Sequence, residues 1–248
     1  LRSYGKSGVV EEIRAAGGEV YAVTSEPQRL ASKAQKHWEL PFESVGDPHH
    51  EISGACRDRG LLDLIVNPDV DLLIKAEGST LSHPKGYYQP GVLAMDSNGR
   101  VLYRWRGIPT RKNIGGAVAR PTPEHVFKNI SGALAEPTTA NEPADAALDT
   151  DPELDQRGAP WPLFVSLLIA NGWFLKAQTF GFAPGRASTE VRIRNAAVRL
   201  LLFLTAWGAA FATLPIPLVG VALAAWGAWI TPQVRMINQQ FQNVSVED

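Results

Sequence analysis

The sequence predicts an α/β domain followed by a membrane-associated helical region, and three observations carry that prediction. Over residues 1–136, helical and strand-like patterns alternate, and 17 Lys+Arg and 16 Asp+Glu are spread evenly. Residues 137–160 hold six acids and one Arg among Pro, Ala and Thr, with no apolar periodicity. Leu200–Thr231 is a run of 32 residues without one ionisable side chain. The whole chain of 248 residues is 45% apolar and 20% charged, which excludes a wholly disordered protein. With 24 Lys+Arg against 25 Asp+Glu, general nucleic-acid binding is not expected. The single cysteine, Cys56, excludes a disulfide or a two-cysteine redox cycle within the chain.

The elements follow in order. Val9, Val10 and Ile13 among Glu11, Glu12 and Arg14 predict an amphipathic helix over 5–17, stopped by Gly17-Gly18. Glu19–Thr24 reads as a strand. Ser25 is placed as the cap of the next helix, with Pro27 in its first turn and an end near Leu40. Phe42–Val45 is a short strand ended by Gly46-Asp47-Pro48, and 48–60 is a helix closed by Gly60. Residues 61–76 read equally as strand or helix. Gly91–Asp96 and Val101–Trp105 flank Ser97-Asn98-Gly99-Arg100, a hairpin signal. Thr122-Pro123-Glu124 opens a last helix with Val126, Phe127 and Ile130 on one face.

Residues 137–160 are expected to be a flexible acidic linker, because they cannot bury enough surface to offset their ordering entropy. In the uncharged run, Pro215 and Pro217 argue against one continuous helix. The expected division is 198–214 and 216–231, a hairpin turning at Leu214-Pro215-Ile216-Pro217 that either crosses or re-enters. Arg192, Arg194 and Arg199 before it and Arg235 after it place both ends on the cytosolic or equivalent (matrix or stromal) side. Trp207, Trp226 and Trp229 suit an interface. Gly208, Ala209, Ala210, Gly220, Ala224 and Gly227 suit close helix contact. A buried hairpin in a soluble helical domain is the competing reading. Residues 161–176 are expected to be an interfacial helix, with a third span as the alternative. The start, LRSYGKSGVVEEIRAAGG, has no apolar core of a signal peptide.

The stretches VVEEIRAAGGEVYAVTSEP, FESVGDPHHEISGACRDRGL, QPGVLAMDSNGRVLYRWRG and NIGGAVARPTPEHVFKNI, in that order, carry a family resemblance. Over about residues 1–133 the chain resembles the AhpC/TSA-type peroxiredoxin-like branch of the thioredoxin fold, without its first strand and active-site turn. The resemblance implies a membrane-anchored protein of a thiol redox, antioxidant family. In that family the peroxidatic cysteine lies in a turn before the first helix, where a helix N-terminus and a nearby Arg activate its thiolate. Leu1 already falls at or inside that helix, so the catalytic cysteine is expected outside this chain, and no catalytic residue is assigned within it. The Arg that the family sets before the hairpin glycine is replaced by Pro90 before Gly91. Enzymatic activity therefore stays open. The alternatives are a catalytically inactive scaffold or binding subunit of a membrane complex, and a membrane-shaping protein acting through the hairpin.

Other residue clusters are read against their structural alternatives. Cys56, beside Arg57 and Arg59, lies in a helix body and reads as a packed thiol rather than a nucleophile. His49, His50 and Glu51 point in different directions and have no third ligand nearby, so no metal is assigned. Arg100, Arg104, Arg106 and Arg111 with Trp105 read as a solvated strand face rather than a phosphate or nucleic-acid patch. Gly115-Gly116 is a turn. The sequons at Asn129-Ile130-Ser131 and Asn243-Val244-Ser245 carry no weight without a secretory signal. No cofactor is implied, and the expected partners are membrane lipids and a protein of a membrane complex.

Overall fold

The structure is a computed structural model and describes residues 1–68, 82–108, 120–136, 145–154, 160–180 and 187–242. The ambiguous 69–76, Arg111, Gly115-Gly116 and Asn243 lie outside the described residues. The described residues fall into two units, 1–68, 82–108, 120–136 and 145–154 in the first and 160–180 and 187–242 in the second.

The first unit mixes helices and strands. The helix expected over 5–17 is two short ones, α1 (Tyr4–Ser7) and α2 (Val9–Ala15), broken at Gly8 with φ 80°. Ser7 Oγ accepts from Val9 N–H at 3.3 Å and donates to Tyr4 O at 3.3 Å, so it caps one helix and starts the next. Gly17, at φ 83°, ends α2, and Gly18 N–H donates back to Ile13 O at 2.9 Å. Strand β1 (Tyr21–Thr24) follows, then α3 (Gln28–His37), β2 (Glu43–Gly46) and α4 (Glu51–Asp58). The short pair β3 (Val66–Asn67) and β4 (Tyr87–Tyr88) precedes the hairpin β5 (Gly91–Met95) and β6 (Val101–Arg106), and α5 (Pro123–Ala135) follows. Thr122 Oγ1 accepts from His125 N–H at 3.1 Å and Pro123 occupies the first turn, as the sequence predicts.

Strands β1 and β2 pair in parallel from Tyr21 with Glu43 to Thr24 with Gly46. Strands β5 and β6 pair antiparallel, with a register shift between Ala94 and Met95. The shift belongs to the turn: Gly99 is left-handed at φ 87°, and Asp96 Oδ1 accepts from the N–H groups of Asn98 and Arg100. Val10, Ala22, Leu40 and Phe42 form one core under β1 and β2, while Tyr103, Trp105 and Val126 form another under the hairpin. Tyr4 packs against both, which joins the two halves.

The outer edges of the two half-sheets are closed by the chain itself. On β2, Ser44 N–H donates to Gln35 Oε1, while Gln28 accepts from Gly46 N–H and donates to Ser44 O. Along β6 runs part of the segment expected to be a flexible linker. Ala146 N–H donates to Val101 O and Asp149 N–H to Arg104 O, both at 2.9 Å. Over 145–154 the flexible reading is therefore corrected. Backbone pairing to β6 and the Asp145 and Asp149 carboxylates order a stretch that has no apolar face. The edges of β1 and β5 facing away from their partners have no strand beside them among the described residues.

The second unit contains the short helix α6 (Trp161–Asn171) and two long helices, α7 (Thr189–Thr213) and α8 (Ile216–Gln242). The hairpin turns at Leu214-Pro215, but both arms are longer than the expected 198–214 and 216–231. Helix α7 starts at the Ser188 cap and includes Arg192, Arg194 and Arg199, and α8 continues through Pro232. Both helices are long and apolar enough to cross a membrane, and the most apolar windows are only 6% and 11% buried. That exposure is the opposite of a soluble core helix and argues against the buried-hairpin reading. At about 1.5 Å per residue, the 11 residues of α6 are too short for a third span.

Candidate functional site

The first unit gathers its buried polar groups where β1 and β2 end. Ser25 was expected to cap α3, but Pro27 occupies the N-cap position. Ser25 is instead 3% exposed, and its Oγ lies 3.0 Å from His83 Nδ1 and accepts from Tyr88 N–H at 3.4 Å. Asp47, which follows β2, accepts from Glu51 N–H at 2.7 Å and from Ile52 and Ser53 N–H at 3.1 Å. It thus caps α4 although the chain enters that helix through His50, held left-handed at φ 62°. The Tyr88 hydroxyl donates to Asp47 Oδ2. His50 completes the group, with its ring 4.8 Å from that of Tyr88 and its Nε2 3.3 Å from Gly86 O.

The electrostatics follow from this packing. Burial disfavours the Asp47 carboxylate, but Tyr88 and the N–H groups of Ser53, Ile52 and Glu51 outweigh it and hold its pKa below the usual aspartate range. Burial, and then donation to Asp47, pushes the Tyr88 phenol well above its ordinary value. Burial lowers the His83 pKa against the opposing effect of Ser25, and nearby His50 lowers it further. Neutral His83 beside Ser25 has the geometry of a base and a hydroxyl, yet Ser25 is closed off from solvent. The cluster ties the ends of β1, β2 and β4 together and exposes no activated nucleophile.

Cys56 sits in α4 and lines a shallow apolar hollow with Ile52, Ala55, Leu61 and Met95. Burial pushes its thiol up, Asp47 adds to the rise, and Arg59 only partly opposes it. A thiol held above its ordinary pKa is a poor nucleophile at neutral pH. Among the described residues, no three His, Cys, Asp or Glu side chains are grouped to hold a metal ion. Pro90 follows a trans peptide bond.

The arginines are not a solvated strand face, and this corrects the sequence reading. Arg100 donates to Ala133 O at 2.9 Å and pairs with Asp96 at 3.5 Å. Arg104 donates to Gly60 O and Leu61 O, and Arg106 to Asp63 O at 3.2 Å. Trp105 is buried in the core between them. Arg100 reaches forward 33 residues, and Arg104 and Arg106 reach back 43 to 44, to loop and helix-end carbonyls, so their guanidinium groups are spent on structure.

In the second unit, the loop after α6 is held by side chains from both long helices. Trp226 Nε1–H donates to Phe174 O at 3.1 Å and Trp229 Nε1–H to Leu175 O at 2.8 Å. Arg199 donates to Asn171 O at 3.1 Å, and its guanidinium lies 4.0 Å over the Trp173 ring. Among the described residues the three glycines make no close helix contact: a Cβ built on Gly208, Gly220 or Gly227 would meet nothing within 4 Å.

Sequence reasoning missed Ser25, His83, Tyr88 and Asp149 as partners, because each acts on a residue at least 24 positions away. Asp47 carried a local signal, an Asp four residues before the first helical position. Compared with family models, with curated proteins and with solved structures, the chain matches none.

Proposed function

We propose that the chain is a membrane-anchored, AhpC/TSA-type peroxiredoxin-like protein of thioredoxin fold, in which Cys56 is not the peroxidatic thiol. One observation carries the reading. A parallel pair, β1–β2, and an antiparallel pair, β5–β6, are each closed on one edge, and among the described residues no strand lies beside the free edge of β1 or of β5. The thioredoxin layout sets one further strand between two such pairs. The apolar hairpin supports the anchor.

The raised Cys56 thiol fits equally a second reading, a thioredoxin-fold binding subunit of a membrane complex without catalysis. A peroxide-consumption assay tests both, using the chain in phospholipid vesicles with dithiothreitol as reductant. Consumption at background level, unchanged by Cys56→Ser, is the expected result. Consumption abolished by Cys56→Ser sinks the assignment of Cys56. The same assay on the longest natural form separates the two readings. Cysteine-dependent consumption there supports the peroxidase, and its absence supports the binding subunit.

A further inference from the structure

We infer that the α7–α8 hairpin enters a bilayer from one face and ends inside the hydrocarbon, so that the protein is monotopic and lipid acyl chains surround the tip. The inference rests on the membrane reading above and goes beyond it by fixing depth and topology. Leu200–Thr213 and Ile216–Val234 are the charge-free arms, and at 1.5 Å per residue they rise about 21 and 28 Å. A hydrocarbon core is about 30 Å thick. The α7 arm sets the depth, because reaching the far side would draw Arg199 into hydrocarbon.

The base of the hairpin is fixed, so it cannot slide inward to make up the difference. Arg199 is bound to the last carbonyls of α6 and stacked on Trp173, which holds a charge at the mouth of α7. Phe203 stacks on Phe174 at 3.9 Å and lies 4.9 Å from Trp226, so these rings set one level on both helices. Beyond that level each arm runs 11 residues to the turn, about 16 Å, which is half a hydrocarbon core. Trp229 and the exposed Trp173 mark the same end of the hairpin, where indoles belong at a lipid–water boundary.

The tip is chemically suited to hydrocarbon. Leu214, Ile216 and Leu218 are 48%, 69% and 58% exposed, and no charged residue lies near the turn. Pro215 and Pro217 carry no N–H, Leu214 N–H donates to Ala210 O, and Pro215 O accepts from Leu218 and Val219 N–H. Thr213 returns its hydroxyl to Ala209 O at 2.8 Å. A turn emerging into water has no need of such closure.

The test uses the full chain carrying Cys56→Ser, with one new cysteine at the tip (Leu214→Cys) or at the base (Leu175→Cys). Each is reconstituted into phosphatidylcholine–phosphatidylglycerol vesicles by detergent removal, floated, and treated with a membrane-impermeant maleimide. The expected result is flotation, with the base cysteine labelled on intact or opened vesicles and the tip cysteine labelled only in detergent. Tip labelling in intact vesicles, or after they are opened by a pore former, overturns the monotopic placement and leaves the membrane reading standing. Failure to float overturns both. Leu214→Lys is a second variant that needs no label. A tip inside hydrocarbon loses about tenfold or more in the floated fraction, and a tip outside it loses nothing.

Discussion

His125 of α5 sets its Nε2 2.8 Å from Asp149 Oδ2, and that contact fastens the acidic segment to the domain. Tyr103 donates its hydroxyl to the same oxygen at 2.8 Å, and Asp151 N–H donates to Oδ1 at 3.1 Å. Burial opposes ionisation of Asp149, but His125, Tyr103 and Asp151 outweigh it and lower its pKa. A carboxylate with a depressed folded pKa stabilises fully above its unfolded pKa of about 3.9 and loses that contribution as pH falls through the folded value. The docking of 145–154 is therefore intact at neutral pH and fails in acid. Asp149→Ala is expected to destabilise by about 1–3 kcal/mol. It should also speed hydrogen exchange at the Ala146 amide and at the amide of position 149 while β1 amides stay unchanged. Equal acceleration in both places would remove the clasp from the account.

The Asp47–Tyr88 pair makes a separate prediction. Asp47→Ala removes the cap from three N–H groups of α4 and leaves the Tyr88 hydroxyl only the backbone carbonyl of residue 47, at 3.2 Å. The expected loss is about 1–3 kcal/mol, the sum of a cap and one charge-assisted hydrogen bond. Tyr88→Phe leaves the cap in place and should lose about 1 kcal/mol. Because the Asp47 pKa is lowered, its contribution too is present above about pH 3.9 and lost in acid. Urea denaturation at pH 7 and pH 3 reads both effects, and a difference between wild type and Asp47→Ala that is equal at the two pH values contradicts the assignment.

These residues also show what was legible in the sequence. The hairpin around Asn98-Gly99, the Thr122-Pro123 helix start and the turn at the two prolines are local devices, and each lies where its own residues demand. Ser25 had the local signature of a cap, but a buried hydroxyl answers to whatever reaches it, here His83 from 58 residues away. Residues 145–154 were opaque because a segment held by β6 backbone and two carboxylates needs no apolar period. The arginines of β6 looked solvated because charge pattern does not reveal the loop carbonyls they reach. The long helices outran their expected ends because apolar residues beyond the uncharged run are buried: Ala196 on α7, and Ile237 and Phe241 on α8, with Phe241 against Phe164 of α6. No local pattern in the sequence encodes the open inner edges of β1 and β5.

Two glycines separate steric demand from flexibility. A Cβ at Gly46 would lie 2.4 Å from Gln28 N and 2.6 Å from Glu26 O, and both are backbone atoms that cannot turn away. Gly46→Ala is expected to destabilise by about 1–3 kcal/mol or more, through the contact between β2 and the start of α3. Gly54 lies inside α4 with nothing within 4 Å of its would-be Cβ. Gly54→Ala should stabilise by about 0.5–1 kcal/mol, because it removes unfolded-state freedom from a helix interior. Thermal unfolding of the two variants must move the melting temperature in opposite directions, and a shift of the same sign in both refutes the contrast.

The loop after α6 gives the last prediction. Trp173 and Phe174 are consecutive left-handed residues at φ 56° and 61°, a conformation that disfavours L side chains by about 1–2 kcal/mol each. Something must hold them there, and Arg199 is placed to do so. It donates to Asn171 O and Ala170 O at the C-terminus of α6, where a cation meets the negative end of the helix, and it covers the Trp173 ring. Both bonds leave from one nitrogen, Nη1, so lysine keeps the charge and a donor but loses the planar group that stacks on Trp173. Arg199→Ala should therefore lower stability in detergent micelles by about 2–3 kcal/mol, and Arg199→Lys by about half of that. In a double-mutant cycle with Trp173→Ala, the coupling should be about 0.5–1.5 kcal/mol. If Arg199→Lys is indistinguishable from wild type, charge alone holds the loop. If the cycle shows no coupling, the stacked geometry contributes nothing, and the strain at Trp173 and Phe174 must be held by the Trp226 and Trp229 indoles that donate to Phe174 O and Leu175 O.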